Sequence, residues 1–260
     1  MRFSANVSIL FKDSPFLERF DRAARAGFDA VEFWWPSGED LEAVEAAVRD
    51  SGVDVALFNL DAGDMPGGDR GLLSDPDRQS VFRANVPIAL ELAERLNCHQ
   101  LNALVGLQLP GRDRDEQLAL AAKNLAWAAR AAAGVGARLL VEAVNTLENG
   151  PYLVSRTDEA VALIDRAGEP NIALQYDAYH MQRMEGNLAA TIRRYRDRIA
   201  HVQIADSPGR GEPGTGEINF SYLFDVLEEI GYAGYIGLEY APTTASTEES
   251  FGWMPARAGR

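Results

Sequence analysis

Four polar residues stand inside or at the ends of otherwise apolar segments in the second half of the chain. Glu142 follows RLLV, Asp177 follows IALQY, Gln203 follows HV and Glu239 follows YIGL. A buried carboxylate without a partner costs several kcal/mol, so three in one core need a shared counter-charge. Carboxylate and amide oxygens favour one divalent metal ion, Mg²⁺ or Mn²⁺. Separate ion pairs at the rim of the fold are the alternative, and four such residues on successive segments favour the metal site.

The elements that must position these residues alternate regularly along the chain. Short β-branched or aromatic-rich segments are separated by longer amphipathic stretches; the segments are FSANVSIL, AVEFWW, VALFNL, QLNALVG, ARLLVEAV, IALQYDAY, HVQIAD and YIGLEY. Mostly continuous apolar strands, each followed by a helix, indicate a parallel sheet covered on both faces. Eight such repeats predict an α/β fold, a (β/α)₈ TIM barrel, with a single domain over residues 1–260. An open doubly wound sheet is the alternative, but it would place a Gly-rich phosphate turn where the sequence has SILFKDSPF.

Local signals mark where several predicted helices begin and end. Glycines follow four of them, as a left-handed C-terminal residue requires; these are Gly27, Gly52, Gly168 and Gly231. Thr157 or Asp158 is predicted to cap the start of the fifth helix, and Ser221 the start of the seventh.

Two long loops rich in glycine and proline are predicted at the C-terminal ends of strands, the face on which barrels build active sites. They are AGDMPGGDRGLLSDP after the third strand and DSPGRGEPGTGEIN after the seventh. The first carries Arg70 and the second Arg210. A guanidinium binds a planar carboxylate through two hydrogen bonds, so both are candidates for holding an anionic substrate. A surface-loop role is the alternative for each, and Arg183 is a third candidate.

Composition excludes several classes of protein. The 260-residue chain has a formal net charge of −14 and no basic stripe, which argues against nucleic acid as a partner. No apolar run reaches the ~18 residues of a membrane helix, and the N-terminal segment does not read as a signal peptide. The single cysteine, Cys98, cannot form an internal disulfide, which fits the reducing cytoplasm.

Several segments resemble the xylose-isomerase-like barrel superfamily, and within it the hydroxypyruvate isomerases most. They are VEAVNTLE, QYDAYHMQRMEGNL, HVQIAD, GRGEPGTGEIN and LEY, and the similarity runs from RFSANVSILF through NLDAGDMPGGDRG to GWMP. The resemblance implies that Glu142, Asp177, Gln203 and Glu239 bind the metal. It also implies that Glu142 and Glu239 are the paired acid–base residues.

The same resemblance implies further contacts with the substrate. A histidine three residues after the aspartate ligand and a glutamate six residues after the first ligand contact substrate in related epimerases, which points to His180 and Glu148 here. A histidine satisfied by loop backbone and a solvated acid are the alternatives. Asn59 and Asn102, near the ends of the third and fourth strands, either hydrogen-bond substrate oxygens or cap loops.

The implied reaction interconverts hydroxypyruvate and 2-hydroxy-3-oxopropanoate through an enediolate, within glyoxylate or carbohydrate metabolism. Moving a proton between neighbouring carbons needs one group to take it, another to return it and an electrophile to hold the oxyanion. The expected partner is a small anionic 2-oxo acid, and the sequence is compatible with a homo-oligomer.

Other functions compete with this interpretation. They are a 2-oxo-tetronate isomerase, another small sugar or sugar-acid isomerase or epimerase, a dehydratase, a hydrolase of the endonuclease IV type and a non-catalytic ligand-binding barrel. Such a hydrolase uses a histidine-rich metal site and a basic surface, and three histidines with a net charge of −14 argue against it.

Overall fold

A closed barrel of eight parallel strands forms the centre of the computed structural model, which describes residues 1–254. Strands pair in chain order, and the first also pairs with the eighth. They are β1 (Arg2–Asn6), β2 (Ala30–Phe33), β3 (Asp54–Asn59), β4 (Gln100–Asn102), β5 (Arg138–Glu142), β6 (Ile172–Asp177), β7 (Ile199–Ile204) and β8 (Tyr235–Leu238). The predicted (β/α)₈ TIM barrel is confirmed, and the open sheet is wrong because β1 and β8 close the ring.

Nine α-helices lie along the described part of the chain. They are α1 (Arg19–Arg25), α2 (Leu41–Ser51), α3 (Gln79–Arg95), α4 (Arg114–Ala133), α5 (Thr146–Asn149), α6 (Thr157–Ala167), α7 (Ala178–Met184), α8 (Leu188–Tyr195) and α9 (Phe220–Glu229). Two 3₁₀ helices, Phe16–Glu18 and Glu248–Trp253, complete the set. The sequence patterns did not resolve the short helices α5, which follows β5 after three intervening residues, and α7, which directly follows β6. No described helix is long and apolar enough to cross a membrane.

The helix ends confirm one kind of local signal and correct another. All four predicted terminal glycines have positive φ, between 71° and 88°. The predicted caps are wrong, because α6 begins after Arg156 and α9 after Asn219. Glu185 takes the capping role at α6 by accepting from the Thr157 amide (3.2 Å), and Asn219 accepts from the Tyr222 amide (3.1 Å).

The apolar core fills the space between the strands and the helices, while the barrel interior holds polar side chains. Glu32 on β2 is fully buried there. Gly237 on β8 makes room for it, because a Cβ at Gly237 would collide with both carboxylate oxygens of Glu32. The polar interior therefore depends on glycine, which has no side chain, at position 237 in the wall of the barrel.

Candidate active site

Three carboxylates meet at the C-terminal end of the barrel. Glu142 ends β5, Asp177 ends β6 and Glu239 directly follows β8. All three are at most 5% exposed. Asp177 also caps α7, because its Oδ1 accepts from the amides of Tyr179 (2.7 Å) and His180 (3.3 Å). Parallel strands bring their ends to one edge of the barrel, so residues far apart in sequence become neighbours.

The carboxylates and His180 form a compact group of potential metal ligands. One ligand atom from each of Glu142, Asp177, His180 and Glu239 lies within 4.8 Å of the others. Three buried carboxylates at this spacing carry more negative charge than neighbouring side chains neutralise. The donor set therefore fits a divalent cation that prefers oxygen ligands.

The pKa values of the three acids reflect their burial and their closeness to one another. Burial raises the pKa of Glu142 well above its ordinary value, and the charges of Glu239 and Asp177 raise it further. Burial raises the pKa of Glu239 to about 7, with Arg210 opposing the shift and Asp177 adding to it. Burial likewise raises the pKa of Asp177. Because the pKa of Glu239 lies at about 7, this acid can both give and take a proton near neutral pH.

Arg210 brings positive charge to the acidic group. Its Nη2 lies 2.6 Å from Glu239 Oε2 and 4.0 Å from Asp177 Oδ2, and its guanidinium lies 5.3 Å from the centre of the Tyr179 ring. Burial lowers the pKa of Arg210, but the attraction of Glu239 and Asp177 outweighs burial and raises it. The loop after β7 thus delivers a cation directly to the carboxylates.

Gln203 connects the acidic group to a second buried acid. Its Nε2 donates to Glu32 Oε1 (2.7 Å), and its Oε1 accepts from Gln175 Nε2 (2.6 Å). Gln175 Nε2 also lies 3.0 Å from Glu142 Oε2. Because Glu32 fixes the amide nitrogen, the oxygen of Gln203 is directed away from Glu32, towards the side of Gln175 and Glu142.

Glu32 itself accepts from four side chains. Its oxygens receive hydrogen bonds from Ser4 Oγ (2.8 Å), His201 Nε2 (2.8 Å), Asn6 Nδ2 (3.3 Å) and Gln203 Nε2 (2.7 Å). Sequence analysis missed this network, because nothing in the segment AVEFWW shows which strand residues face Glu32.

His180 is buried between the carboxylates and Asn145. Its Nε2 lies 3.6 Å from Asp177 Oδ2 and 3.8 Å from Glu142 Oε1, and its Nδ1 lies 2.7 Å from Asn145 Nδ2. Burial lowers the pKa of His180 well below its usual value, and the nearby Arg210 lowers it further. The imidazole is therefore neutral in this site.

A cavity of about 940 Å³ opens above this group. Its wall includes His180, Arg210, Asn59 and Arg70 among the predicted substrate-binding residues. Arg70 is held there by Asn149 Oδ1, which accepts from its Nε (3.1 Å). Glu142 and Glu239 reach the same cavity, so the predicted acid–base pair shares one space with these four residues.

Two predicted substrate-binding residues make other contacts. Asn102 is fully buried and donates through Nδ2 to Glu142 Oε2 (2.8 Å). Glu148 accepts from the Tyr179 hydroxyl (2.6 Å). Burial raises the pKa of Glu148, but the hydrogen bonds from Tyr179 and Asn145 lower it overall. Neither residue is on the cavity wall, so their contact with substrate stays a prediction, and Asn102 contacts a predicted catalytic carboxylate instead.

Sequence reasoning also missed two donors to Glu239. Trp34 Nε1 (2.7 Å) and Asn6 Nδ2 (3.0 Å) both donate to Glu239 Oε1. Trp34 and Trp35 lie on the cavity wall. The contact of Asn6 could have been found from the sequence. Asn6 is a polar residue at the end of β1, and β1 pairs with β8, the strand that precedes Glu239, in the closed barrel.

Residues 20–257 match the family described as xylose isomerase-like TIM barrel, and the chain belongs to this family. It is 42% identical to hydroxypyruvate isomerase of Escherichia coli strain K12, over 98% of each chain. It is 39% identical to 2-oxo-tetronate isomerase of Cupriavidus necator, over 100% of this chain and 99% of that one. The predicted resemblance to an isomerase of this superfamily is confirmed.

A solved structure is equally similar but has a different title. The chain aligns with a Brucella melitensis protein titled AP endonuclease, family 2, with a TM-score of 0.93, 41% identity and 97% coverage of each chain. That title names a nuclease family, whereas this chain has a net charge of −14 and its candidate metal group contains one histidine. The curated relatives named as isomerases agree better with the acidic site.

Proposed function

We propose that this protein interconverts hydroxypyruvate and 2-hydroxy-3-oxopropanoate by proton transfer between Glu142 and Glu239, within glyoxylate metabolism. The observation that carries the proposal is a pair of buried glutamates with raised pKa values that reach one cavity beside a group of oxygen ligands. An enediolate mechanism needs one ionised and one protonated carboxyl group; a pKa of about 7 keeps both forms of Glu239 accessible, and the pKa of Glu142 is raised in the same direction.

Each of the two glutamates carries out one proton transfer. One glutamate takes the proton from C3 of hydroxypyruvate, and the C–H electron pair becomes the C2–C3 double bond of a cis-enediolate. The other glutamate then returns a proton to C2, while the hydroxyl proton on O3 is transferred to the oxygen on C2. Atoms and electrons balance, because the two compounds are isomers.

Glu142, Asp177, Gln203 and Glu239 are the residues we propose to hold one divalent metal ion, Mg²⁺ or Mn²⁺. Such an ion supplies a Lewis acid that stabilises negative charge on the substrate oxygens. The oxygen of Gln203 accepts a hydrogen bond from Gln175. Gln203 would exchange that hydrogen bond for the metal in order to serve as a ligand.

Arg70 and Arg210 are proposed to hold the substrate carboxylate. Both lie on the cavity wall, on the loops after β3 and β7. Arg210 already contacts Glu239, so a carboxylate beside it also lies near the proposed base. His180 completes the proposed substrate contacts from the β6 side of the cavity.

The decisive experiment is a substrate panel with the metal removed and restored. Hydroxypyruvate, a 2-oxo-tetronate and free ketoses are supplied to enzyme treated with EDTA, then to enzyme with Mg²⁺ or Mn²⁺ restored. The expected result is fastest isomerisation of hydroxypyruvate, dependent on metal, with deuterium entering C2 in D₂O by NMR. No turnover of hydroxypyruvate contradicts the substrate, and turnover without deuterium indicates hydride transfer instead.

A 2-oxo-tetronate isomerase is the second candidate, because a relative of that name is 39% identical to this chain over its full length. A volume of about 940 Å³ leaves ample space beyond a three-carbon acid. The same two glutamates would serve a four-carbon substrate unchanged. The ratio of kcat/KM for the two substrates in the panel decides between them.

We further propose one domain over residues 1–260, a cytoplasmic location and a small anionic 2-oxo acid as partner. Burial raises the pKa of Cys98 to about 12, so this thiol is unreactive and compatible with a reducing compartment. Size-exclusion chromatography with light scattering tests whether the chain forms a homo-oligomer.

A further inference from the structure

Asn145 stands between the start of α5 and the imidazole of His180. It immediately precedes α5, and its Oδ1 accepts a hydrogen bond from the backbone amide of Glu148 (3.0 Å). Its Nδ2 lies 2.7 Å from His180 Nδ1 and 3.2 Å from Glu148 Oε2. Asn145 is fully buried, so water does not replace these contacts.

The helix cap determines which way the Asn145 amide faces. If the amide were rotated, its NH₂ group would oppose the amide N–H of Glu148, and the cap would be lost. In the observed orientation the oxygen meets a backbone donor and the nitrogen meets a carboxylate. The side chain therefore presents a donor, and not an acceptor, to His180.

This donor restricts the proton on His180. A neutral imidazole has one N–H nitrogen and one lone-pair nitrogen, and the hydrogen bond at one nitrogen sets the state of the other. With Asn145 Nδ2 at 2.7 Å, a proton on His180 Nδ1 would place two donors against each other. The proton is therefore on Nε2, which faces Asp177 and Glu142.

We propose that Asn145 is a positioning residue that sets the tautomer of His180. In this tautomer His180 offers a hydrogen-bond donor to an oxygen of the bound substrate and no Nε2 lone pair to a metal ion. The substrate acceptor rests on the proposed function, but the tautomer does not. His180 is then excluded as a metal ligand, although its Nε2 lies close to the carboxylate ligands. The carboxylates and Gln203 remain as the ligands.

The test is NMR of metal-free protein labelled with ¹⁵N-histidine. The chain has three histidines, and the signals missing in His180→Gln belong to His180. The expected result is an unprotonated Nδ1 and a protonated Nε2. A protonated Nδ1 in the wild type overturns the proposal, whether or not any variant folds and whether or not hydroxypyruvate is the substrate.

The matched variant is Asn145→Asp. Aspartate caps a helix as well as asparagine does, so α5 is retained, but both its oxygens are acceptors. It is expected to move the proton to Nδ1 and to lower kcat for hydroxypyruvate about 100-fold, as loss of a donor to a developing oxyanion does. Because the new carboxylate also faces Glu148 Oε2 and lowers stability, a cooperative unfolding transition and an unchanged circular dichroism spectrum separate this result from structural damage. An unchanged tautomer in a folded Asn145→Asp protein overturns the proposal.

Mn²⁺ binding gives a readout independent of turnover. Freeing the Nε2 lone pair in Asn145→Asp is expected to tighten Mn²⁺ binding, measured by EPR, about tenfold, the lower end of effects reported for residues that support metal ligands. The double variant Asn145→Asp with His180→Gln keeps the added charge and lacks the imidazole. Loss of the gain in the double variant supports the proposal, and a gain that persists there overturns it.

Discussion

Glu32 and Glu239 are both buried glutamates in one barrel, and Asn6 contacts both, yet they are in opposite electrostatic situations. Asn6 Nδ2 lies 3.3 Å from Glu32 Oε1 and 3.0 Å from Glu239 Oε1. Glu32 accepts from four side-chain donors, whereas Glu239 accepts from Trp34, Asn6 and Arg210 and also shares its site with two further carboxylates. The difference separates an acid that holds the barrel together from an acid that is available for chemistry.

The comparison also shows what makes an acid reactive. Burial alone does not, because Glu32 is less exposed than Glu239. Burial makes the ionised form of Glu239 costly, Arg210 opposes that cost and Asp177 adds to it, and a further cation or a proton relieves it. Neutralising each acid in turn should therefore have different consequences.

The largest effect is expected from Glu142→Gln. An amide cannot take or return a proton, so kcat for hydroxypyruvate should fall about 1,000-fold, within the range for loss of a general acid or base. Steady-state kinetics with saturating Mn²⁺ measures it. The control is Glu228→Gln on the exposed surface of α9, which should leave kcat unchanged. Wild-type kcat in Glu142→Gln would remove this residue from the proposed pair.

Next in size, Glu32→Gln should lower the free energy of unfolding by about 3 kcal/mol. An amide NH₂ would face donors that now meet a carboxylate oxygen, leaving buried groups unpaired. Urea denaturation of metal-free protein at pH 8 measures this. An unchanged or raised stability would mean that Glu32 does not stabilise the barrel.

The same substitution at Glu239 should have an effect on stability that changes with pH. The pKa of Glu239 is raised to about 7 in the folded chain, so its ionisation destabilises the fold as pH rises from about 4.5 to 7. Below that pH window Glu239 is protonated in both the folded and the unfolded chain. Above it, the folded chain bears the full free-energy cost of ionising Glu239. The stability change caused by Glu239→Gln should thus be more favourable at pH 8 than at pH 4.5 by up to about 3 kcal/mol, because altered hydrogen bonds from Arg210, Trp34 and Asn6 are common to both pH values. Metal-free denaturation at both pH values provides the test, and equal stability changes at the two would refute it.

Metal should stabilise the fold through the carboxylates and not through Glu32. At 100 times its dissociation constant, Mn²⁺ should add about 2.7 kcal/mol to the free energy of unfolding. The gain should persist in Glu32→Gln and fall sharply in Asp177→Asn. Thermal unfolding with and without EDTA follows both variants, and an equal gain in Asp177→Asn would place the ion elsewhere.

The smallest expected effect is that of Trp34→Phe, which removes one donor from Glu239. Loss of a hydrogen bond to a charged group should raise the pKa of Glu239 further, by about one unit. The acid limb of the kcat/KM profile should move to higher pH by that amount, with little change on the plateau. Trp35→Phe keeps the Trp34 hydrogen bond and serves as the control. A profile identical to that of the wild type would show that Trp34 does not tune Glu239.

The group of acids at the C-terminal end of the barrel, the acidic mouth, could be predicted from sequence, because the prediction requires only the order of the strands. Glu142, Asp177 and Glu239 each end an apolar run, and parallel strands place their ends together. The long Gly-rich loops carrying Arg70 and Arg210 were recognisable for the same reason. No knowledge of register was required for any of them.

The buried network beneath the mouth could not be predicted, because it depends on register and on the closing of the ring. Glu32 pairs in register with Asn6, and its remaining donors come from β1 and the distant β7. Short helices are a second feature that the sequence does not reveal. Helix α5 is too short to show a helical pattern of apolar residues, so the sequence does not distinguish Asn145 from an ordinary loop residue.

Gly237 restricts how this protein can vary. Because a Cβ at this position would meet the Glu32 carboxylate, whose four hydrogen bonds keep it from moving aside, position 237 cannot change while Glu32 is present. Acquiring any side chain at 237 requires a shorter residue at 32 first, and a lineage that takes this route gives up the polar interior of the barrel. Paired change at positions 32 and 237 is therefore the mark by which descendants that rebuilt this interior could be recognised among homologous sequences.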